Sequence, residues 1–167
     1  MSSDVSAAFA HQRFEEQAAR QPDAAAVVCD GQRLTYGELN RRANRLARHL
    51  RGHGVRSGML VAIAVPRSLD MAVGILGILK AGGAWVPLDP AGPKDRRTFV
   101  LEDTGVSLLL AHRTSLSALA DSRANVVFLD EQAPPIALHS SANLDYQIAP
   151  ASPAGPPARG AAGRSSV

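Results

Sequence analysis

In this 167-residue chain, Lys80 is followed closely by the pair Gly82–Gly83. Lysine and glycine are the residue types that bind phosphate in a phosphate-binding loop. A phosphate-binding loop places its glycines before the lysine and a Ser or Thr directly after it, and neither condition is met here. A lysine in the last turn of a helix, followed by glycine, indicates a helix end instead. The cation faces the negative end of the helix dipole, and glycine readily adopts the left-handed conformation. We therefore interpret Lys80 as a helix-terminal residue.

A second glycine-rich segment, residues 52–58, resembles the dinucleotide-binding pattern G-x-G-x-x-G. Its last gap is one residue too long, and it precedes a predicted strand, whereas the fingerprint follows one. The segment is interpreted as a loop that ends a helix.

Other positions also carry reactive side chains. His49 and His53 are four residues apart near a predicted helix end, which is metal-ligand spacing, but no third ligand is near them in the sequence. A zinc site is therefore the weaker interpretation. Cys29 has no obvious base beside it and is interpreted as a buried strand thiol. The adjacent Glu102 and Asp103 point apart on a helix, which favours surface charges over an acid–base pair.

A row of arginines, Arg41, Arg45 and Arg48, is the strongest feature for a nucleic-acid partner, together with a net charge of +3 and a pI near 9.6. A solvated helix face is the more common outcome of such a row. Aromatic content of 4% also leaves few side chains for base stacking. Nucleic acid is therefore not expected as a partner.

Helical and extended patterns alternate along the chain, which predicts an α/β fold with a parallel sheet after a short antiparallel start. The helices are predicted over residues 9–20, 37–51, 69–81, 94–103 and 115–120. The strands are predicted over residues 24–29, 33–36, 59–65, 85–86, 106–110 and 126–129. In the helix over 37–51, the buried residues are predicted to be Leu39, Ala43, Leu46 and Leu50. The strand Trp85–Val86 is predicted to be buried as a whole. In the helix over 94–103, Phe99, Val100 and Leu101 are predicted to face inward.

Smaller signals define the joints between these elements. Asp30–Gly31 is a two-residue hairpin signal. Thr35 and Glu38 have the spacing of a capping box, which explains their types without chemistry. Ser68 is placed to cap the helix that ends near Lys80.

Three stretches carry a family resemblance. Leu79–Asp89 resembles LKAGxAYVPID, the second core motif of the adenylation domains of non-ribosomal peptide synthetases, with Trp85 for Tyr and Leu88 for Ile. Leu34–Leu39 fits the first core motif, L-T/S-Y-x-E-L, in the right order and at typical spacing. Asn143–Ile148 is similar to N-L-A-Y-x-I, which leads into the third core motif.

The resemblance covers about residues 9–148 and implies an incomplete N-terminal subdomain of an adenylate-forming enzyme, an AMP-dependent synthetase or ligase. A complete adenylation domain uses ATP and magnesium to make an acyl-adenylate and then transfers the acyl group to a carrier-protein thiol. The family's phosphate-contacting groups come from the third core motif onward, a Thr/Ser/Gly-rich loop followed by Pro-Lys-Gly, and include a lysine of the C-terminal subdomain.

Those groups have no counterpart in this sequence. No catalytic, cofactor-binding or metal-binding residue is therefore carried over to the chain, no cofactor is expected for it alone, and we expect it to be inactive in isolation. The remainder of a synthetase or a carrier protein would be its partner. Two alternatives stay open: a module that complements a separately encoded remainder of the domain, and a fragment of an acyl or aryl acid ligase.

The amino-acid composition predicts a folded part of the chain and a disordered part. Hydrophobic content of 46% with 20% charged residues is typical of a globular chain. Residues 1–8 are predicted to be a flexible lead. Residues 149–167 are predicted to be a disordered tail, because 149–166 are all Ala, Pro, Gly, Arg or Ser. An out-of-frame reading of a GC-rich gene and a genuine flexible linker both explain this tail.

One cysteine excludes an internal disulfide and is typical of a reducing cytoplasm. Neither a signal peptide nor an apolar run of about 20 residues is visible, so a cytoplasmic chain without membrane contact is expected.

Overall fold

A computed structural model describes residues 3–130 and 134–145 of the chain. The helices are α1 (Ser3–Arg20), α2 (Tyr36–Gly52), α3 (Leu69–Ala81), α4 (Lys94–Thr104) and α5 (Pro134–Ala137). The strands are β1 (Ala25–Cys29), β2 (Gln32–Thr35), β3 (Leu60–Ala64), β4 (Ala84–Pro87), β5 (Leu108–Ala111) and β6 (Asn125–Phe128). The predicted α/β alternation is therefore confirmed.

The strands form two sheets. The larger sheet is parallel, with the order β4-β3-β5-β6, and the smaller one is the antiparallel pair β1-β2. Between β1 and β2, Asp30 and Gly31 both have positive φ, at 51° and 75°. That is the geometry of a two-residue hairpin turn, so the hairpin prediction is confirmed.

The parallel sheet is covered on both faces, as the near-continuous apolar run of β3 predicts. Val61 and Ile63 of β3 belong to the larger core cluster, which also includes residues of α2 and α3. Ala62 and Ala64, which point the other way, belong to a second cluster beneath α4. Successive strand residues face opposite sides of a sheet, so one short strand contributes to both cores.

Helices α2 and α3 pack closely in the larger core. All four predicted stripe residues of α2 are buried. A Cβ added at Gly77 of α3 would lie only 2.6 Å from Cδ2 of Leu46. The absence of a side chain at Gly77 therefore lets Leu46 fill the space between the two helices.

The structure differs from three predictions, two on the burial of a side chain and one on a helix. Trp85 was predicted to lie in a buried strand, but β4 is an edge strand with β3 as its partner, and 39% of the Trp85 surface is exposed. Phe99 was predicted to face inward but is 65% exposed, because three successive helical residues cannot share one face. The predicted helix over 115–120 is instead two 3-10 turns, Arg113–Ser115 and Ser117–Leu119.

Helix α1 begins at Ser3, six residues before the predicted start at Phe9, so residues 3–8 of the predicted flexible lead are helical. Residues 146–148 of the third resembling stretch and the predicted tail 149–167 lie outside the described residues. The domain limits stay a prediction. None of the helices in the described ranges has both the length and the apolar character needed to cross a bilayer.

Candidate functional site

Lys80 lies in the last turn of α3, as predicted, but its side chain is completely buried. Its ammonium group donates a hydrogen bond to the carboxylate of Glu15 on α1. Burial lowers the pKa of Lys80, and the hydrogen bond and charge of Glu15 oppose that shift. Lys80 therefore joins two helices as half of an ion pair, and its long side chain does not reach a surface where it could bind a phosphate.

The glycines after Lys80 are equally committed to packing. Gly82 closes α3 in the left-handed conformation, with φ of 96°, and its N–H bonds to the Ile78 and Leu79 carbonyls. A Cβ added at Gly83 would meet the Met59 carbonyl oxygen at 3.1 Å. The space that a phosphate would need is therefore filled by backbone, and the residues present do not fit a nucleotide phosphate at this position.

The glycine-rich loop over residues 52–58 ends α2, as interpreted from the sequence. The backbone N–H of His53 bonds to the carbonyls of His49 and Leu50, and Gly54 has a positive φ of 93°. The N–H of Gly58 then donates to the Gly82 carbonyl at 3.0 Å. The loop thus joins the end of α2 to the end of α3 and carries no nucleotide-binding geometry.

His49 and His53 are in contact, since their Nε2 atoms lie 3.1 Å apart. A third imidazole, His139, has its ring centre 5.6 Å from that of His49. Burial, followed by the neighbouring His53 and His139, lowers the pKa of His49. No sequence pattern pointed to His139, because it lies far along the chain. As placed, no three His, Cys, Asp or Glu side chains of the described residues have the arrangement of a metal site.

Of the predicted solvated arginine face, only Arg41 is exposed, since Arg45 is half-buried and so is Arg48. The guanidinium of Arg48 donates to the backbone carbonyls of Ser140 at 3.0 Å and Asn143 at 3.3 Å. Beside it, the fully buried Asn44 donates from Nδ2 to the Ser141 carbonyl at 2.8 Å. The face of α2 that includes Arg48 therefore holds residues 140–143 against the helix, while Arg41 stays exposed.

An open cleft of about 260 Å³ lies beside the same helix. It is lined by Arg42, Arg45, Leu46, Asp70, Val73, Leu129, Ile136 and Ala137. Asp70 lies at the start of α3, and its carboxylate is 3.0 Å from Nε2 of His112, which follows β5. The cleft combines cationic and anionic groups over an apolar floor.

The remaining candidates have structural roles. Cys29 is half-buried rather than fully buried, and its pKa is raised by burial and by the adjacent Asp30, which disfavours a reactive thiolate. Glu102 and Asp103 are exposed, as interpreted. Thr35 and Glu38 form the predicted capping box, with Thr35 N donating to Glu38 Oε2 at 3.1 Å and Glu38 N to Thr35 Oγ1 at 3.2 Å.

A parallel sheet covered by helices on both faces, with the first two resembling motifs used for packing, defines an α/β fold. The AMP-binding enzyme family matches residues 14–160, and the chain belongs to that family. The match extends beyond Ile148, where the resemblance to the core motifs ends.

Two synthases are among the similar curated proteins. Bacitracin synthase 1 of Bacillus licheniformis is 48% identical over 123 residues, which are 74% of this chain and 2% of that protein. Tyrocidine synthase 3 of Brevibacillus parabrevis is 56% identical over 110 residues, which are 66% of this chain and again 2% of that protein. The chain thus spans only a small share of the length of these relatives.

Solved structures of non-ribosomal peptide synthetase adenylation domains have a similar fold. The AMPPNP-bound form of the non-ribosomal peptide synthetase FmoA3 superposes with a TM-score of 0.74 and 38% identity, over 81% of this chain and 14% of that one. The N-terminal subdomain of Klebsiella oxytoca NpsA superposes with a TM-score of 0.69 at 23% identity, over 82% of this chain and 34% of that one, which shows the fold alone. The fold is that of the N-terminal subdomain of an adenylation domain.

Proposed function

We propose that these residues are the supporting N-terminal part of an amino-acid-activating adenylation domain, and that polypeptide outside them supplies the groups that hold ATP. The observation that carries this proposal is the use of the Leu79–Asp89 motif. Its lysine is buried against Glu15, and its glycines close a helix and pack against backbone. The motif by which the chain resembles the family thus builds the scaffold instead of binding phosphate.

The whole domain would use ATP and magnesium, whose chemistry is to activate the carboxylate of an amino acid and stabilise charge on the transferred phosphate groups. In this proposal the described residues contribute a rigid sheet edge on which the later residues assemble. The partners are the remainder of a synthetase and its carrier protein, in the cytoplasm. The chain by itself neither binds ATP tightly nor activates an amino acid.

The test is amino-acid-dependent exchange of pyrophosphate into ATP. We expect no exchange from the pure chain with any of the common amino acids. We expect exchange when the chain is co-expressed with the remainder of an adenylation domain from a relative such as bacitracin synthase 1. The remainder expressed alone is the control. Exchange catalysed by the pure chain would overturn the proposal.

Two alternatives are separated by related pairs. If the chain and the remainder co-purify without exchange activity, the chain is an interaction module. If the chain restores acid activation to the remainder of an aryl or fatty acid ligase but not to that of bacitracin synthase 1, the chain is part of an acyl or aryl acid ligase. The identities of 48% and 56% to synthases named for peptides favour the amino-acid branch.

A further inference from the structure

The imidazoles at the end of α2 form a pair that the scaffold role leaves unused. His49 lies in the last turn of α2 and His53 directly follows the helix, so the helix backbone itself sets their separation. Their Nε2 atoms are 3.1 Å apart. Two bonds of about 2.0–2.1 Å to one ion would then enclose an angle of about 100°, which a four-coordinate metal accepts.

The pair is accessible to an ion from solvent. His53 is exposed and His49 is half-buried, so an ion can reach both nitrogens. Imidazole nitrogens select borderline transition metals such as zinc and copper over magnesium or calcium.

We propose that His49 and His53 chelate a divalent transition-metal ion of the zinc and copper class at the end of α2. The two remaining positions on the ion hold water or, after a rotation of its side chain, the half-buried His139. Because His139 directly precedes residues 140–143, which Arg48 and Asn44 hold against α2, the ion would add a second tether to that segment.

The test is isothermal titration with zinc chloride of the full chain, with its purification tag removed so that no foreign histidines compete. We expect one ion per chain. We expect His49→Gln and His53→Gln each to lower the affinity by about tenfold or more, since either removes one of the two nitrogens that the helix holds together. His112→Gln, whose imidazole pairs with Asp70 away from the cluster, is the matched control and should bind like wild type.

Copper(II) provides a second readout, because nitrogen hyperfine splitting in its electron paramagnetic resonance spectrum counts coordinated imidazoles. We expect at least two nitrogens in wild type and one fewer in His53→Gln than in wild type. His53 is exposed, so this variant should fold, and circular dichroism in EDTA checks that it does. Failure of the wild type to bind, or binding by His49→Gln and His53→Gln equal to that of wild type, overturns the proposal.

Discussion

The ammonium group of Lys80 and the carboxylate of Glu15 form an ion pair between α3 and α1, and the lysine side chain in that pair has no solvent exposure. The two residues are 65 positions apart. An interior charge is tolerated only when a partner satisfies it. The position of α1 therefore depends on Lys80, the lysine of the Leu79–Asp89 motif.

Replacing Glu15 should lower the stability of the fold more than replacing Lys80. Glu15→Gln leaves the buried Lys80 without its counter-charge, and we expect a loss of about 3 kcal/mol or more in the free energy of unfolding. Lys80→Met should cost less, because the remaining Glu15 carboxylate keeps some access to water, with 14% of its side chain exposed. Urea denaturation followed by circular dichroism measures both.

The control for that experiment is the double variant Glu15→Leu with Lys80→Met, which replaces the pair by apolar side chains. It should recover most of the stability lost in Glu15→Gln, since an apolar replacement avoids burying any charge. Equal losses in all three variants would contradict the assignment of Lys80 as a buried, charge-dependent contact.

Because α2 and α3 pack closely, alanine substitutions at two glycines should affect stability differently. Gly77→Ala would place a methyl group 2.6 Å from Cδ2 and 2.9 Å from Cγ of Leu46, so the whole leucine must move. We expect a loss of about 1–3 kcal/mol in the free energy of unfolding, although alanine is the better helix former. Gly52→Ala, at the end of α2, has nothing within 4 Å of the added carbon and should leave stability unchanged or slightly raised. Thermal unfolding of both variants decides between packing and propensity.

The contacts of Arg48 predict which segment is released by its removal. Arg48→Met deletes the hydrogen bonds to the Ser140, Ala142 and Asn143 carbonyls. We expect amide hydrogen exchange in residues 139–145 to become about tenfold faster or more, because charged hydrogen bonds contribute about 1.5–3 kcal/mol. Exchange in α3 should stay the same. Arg41→Met, which removes an exposed arginine from the same helix, is the control and should change neither region.

The capping box at the start of α2 predicts a pH dependence. The pKa of Glu38 is lowered, first by the backbone hydrogen bond from Thr35, so the folded state favours the carboxylate. Its contribution is complete above the ordinary pKa of 4.5 and is lost as the pH falls through the lower folded value. The stability difference between wild type and Glu38→Gln should therefore shrink below about pH 4.5. Glu102→Gln, at an exposed glutamate outside a cap, should show a smaller change.

The cap itself should also matter at neutral pH. Thr35→Ala removes the side-chain acceptor for the Glu38 N–H, and we expect a loss of about 1 kcal/mol in the free energy of unfolding. A Thr35→Ser variant keeps the hydroxyl and should retain most of that stability. Chemical denaturation at pH 7 compares the two, and an equal loss in both would contradict a capping role.

Local patterns predicted most of the secondary structure, and particular residues show why. The helix over residues 69–81 was predicted with the bounds that α3 has, because Ser68 caps it and Gly82 closes it. The hairpin at Asp30–Gly31 followed from two residues that accept positive φ. The 3-10 turns were predicted as a helix because so short a segment carries too little periodic signal to separate the two.

Side-chain environments were harder to predict than the elements. Trp85 was placed in a buried strand because the apolar run around it is the same for a central and an edge strand; strand order, which no local pattern specifies, made it partly exposed. The arginines of α2 show the same limit. Only the docking of residues 140–143 distinguishes Arg48 from the exposed Arg41, and Arg48 lies 92 positions before Ser140, whose carbonyl it contacts.

The amino-acid sequence by itself determined the order of helices and strands, the caps and turns that separate them, and the family to which the chain belongs, since each depends on neighbouring residues or on a contiguous motif. The tertiary structure alone decided that Lys80 is buried against Glu15, that Arg48 binds a distant segment, and that His139 lies beside His49. Those relationships join residues far apart in the chain, and their geometry exists only once the helices have packed on the sheet.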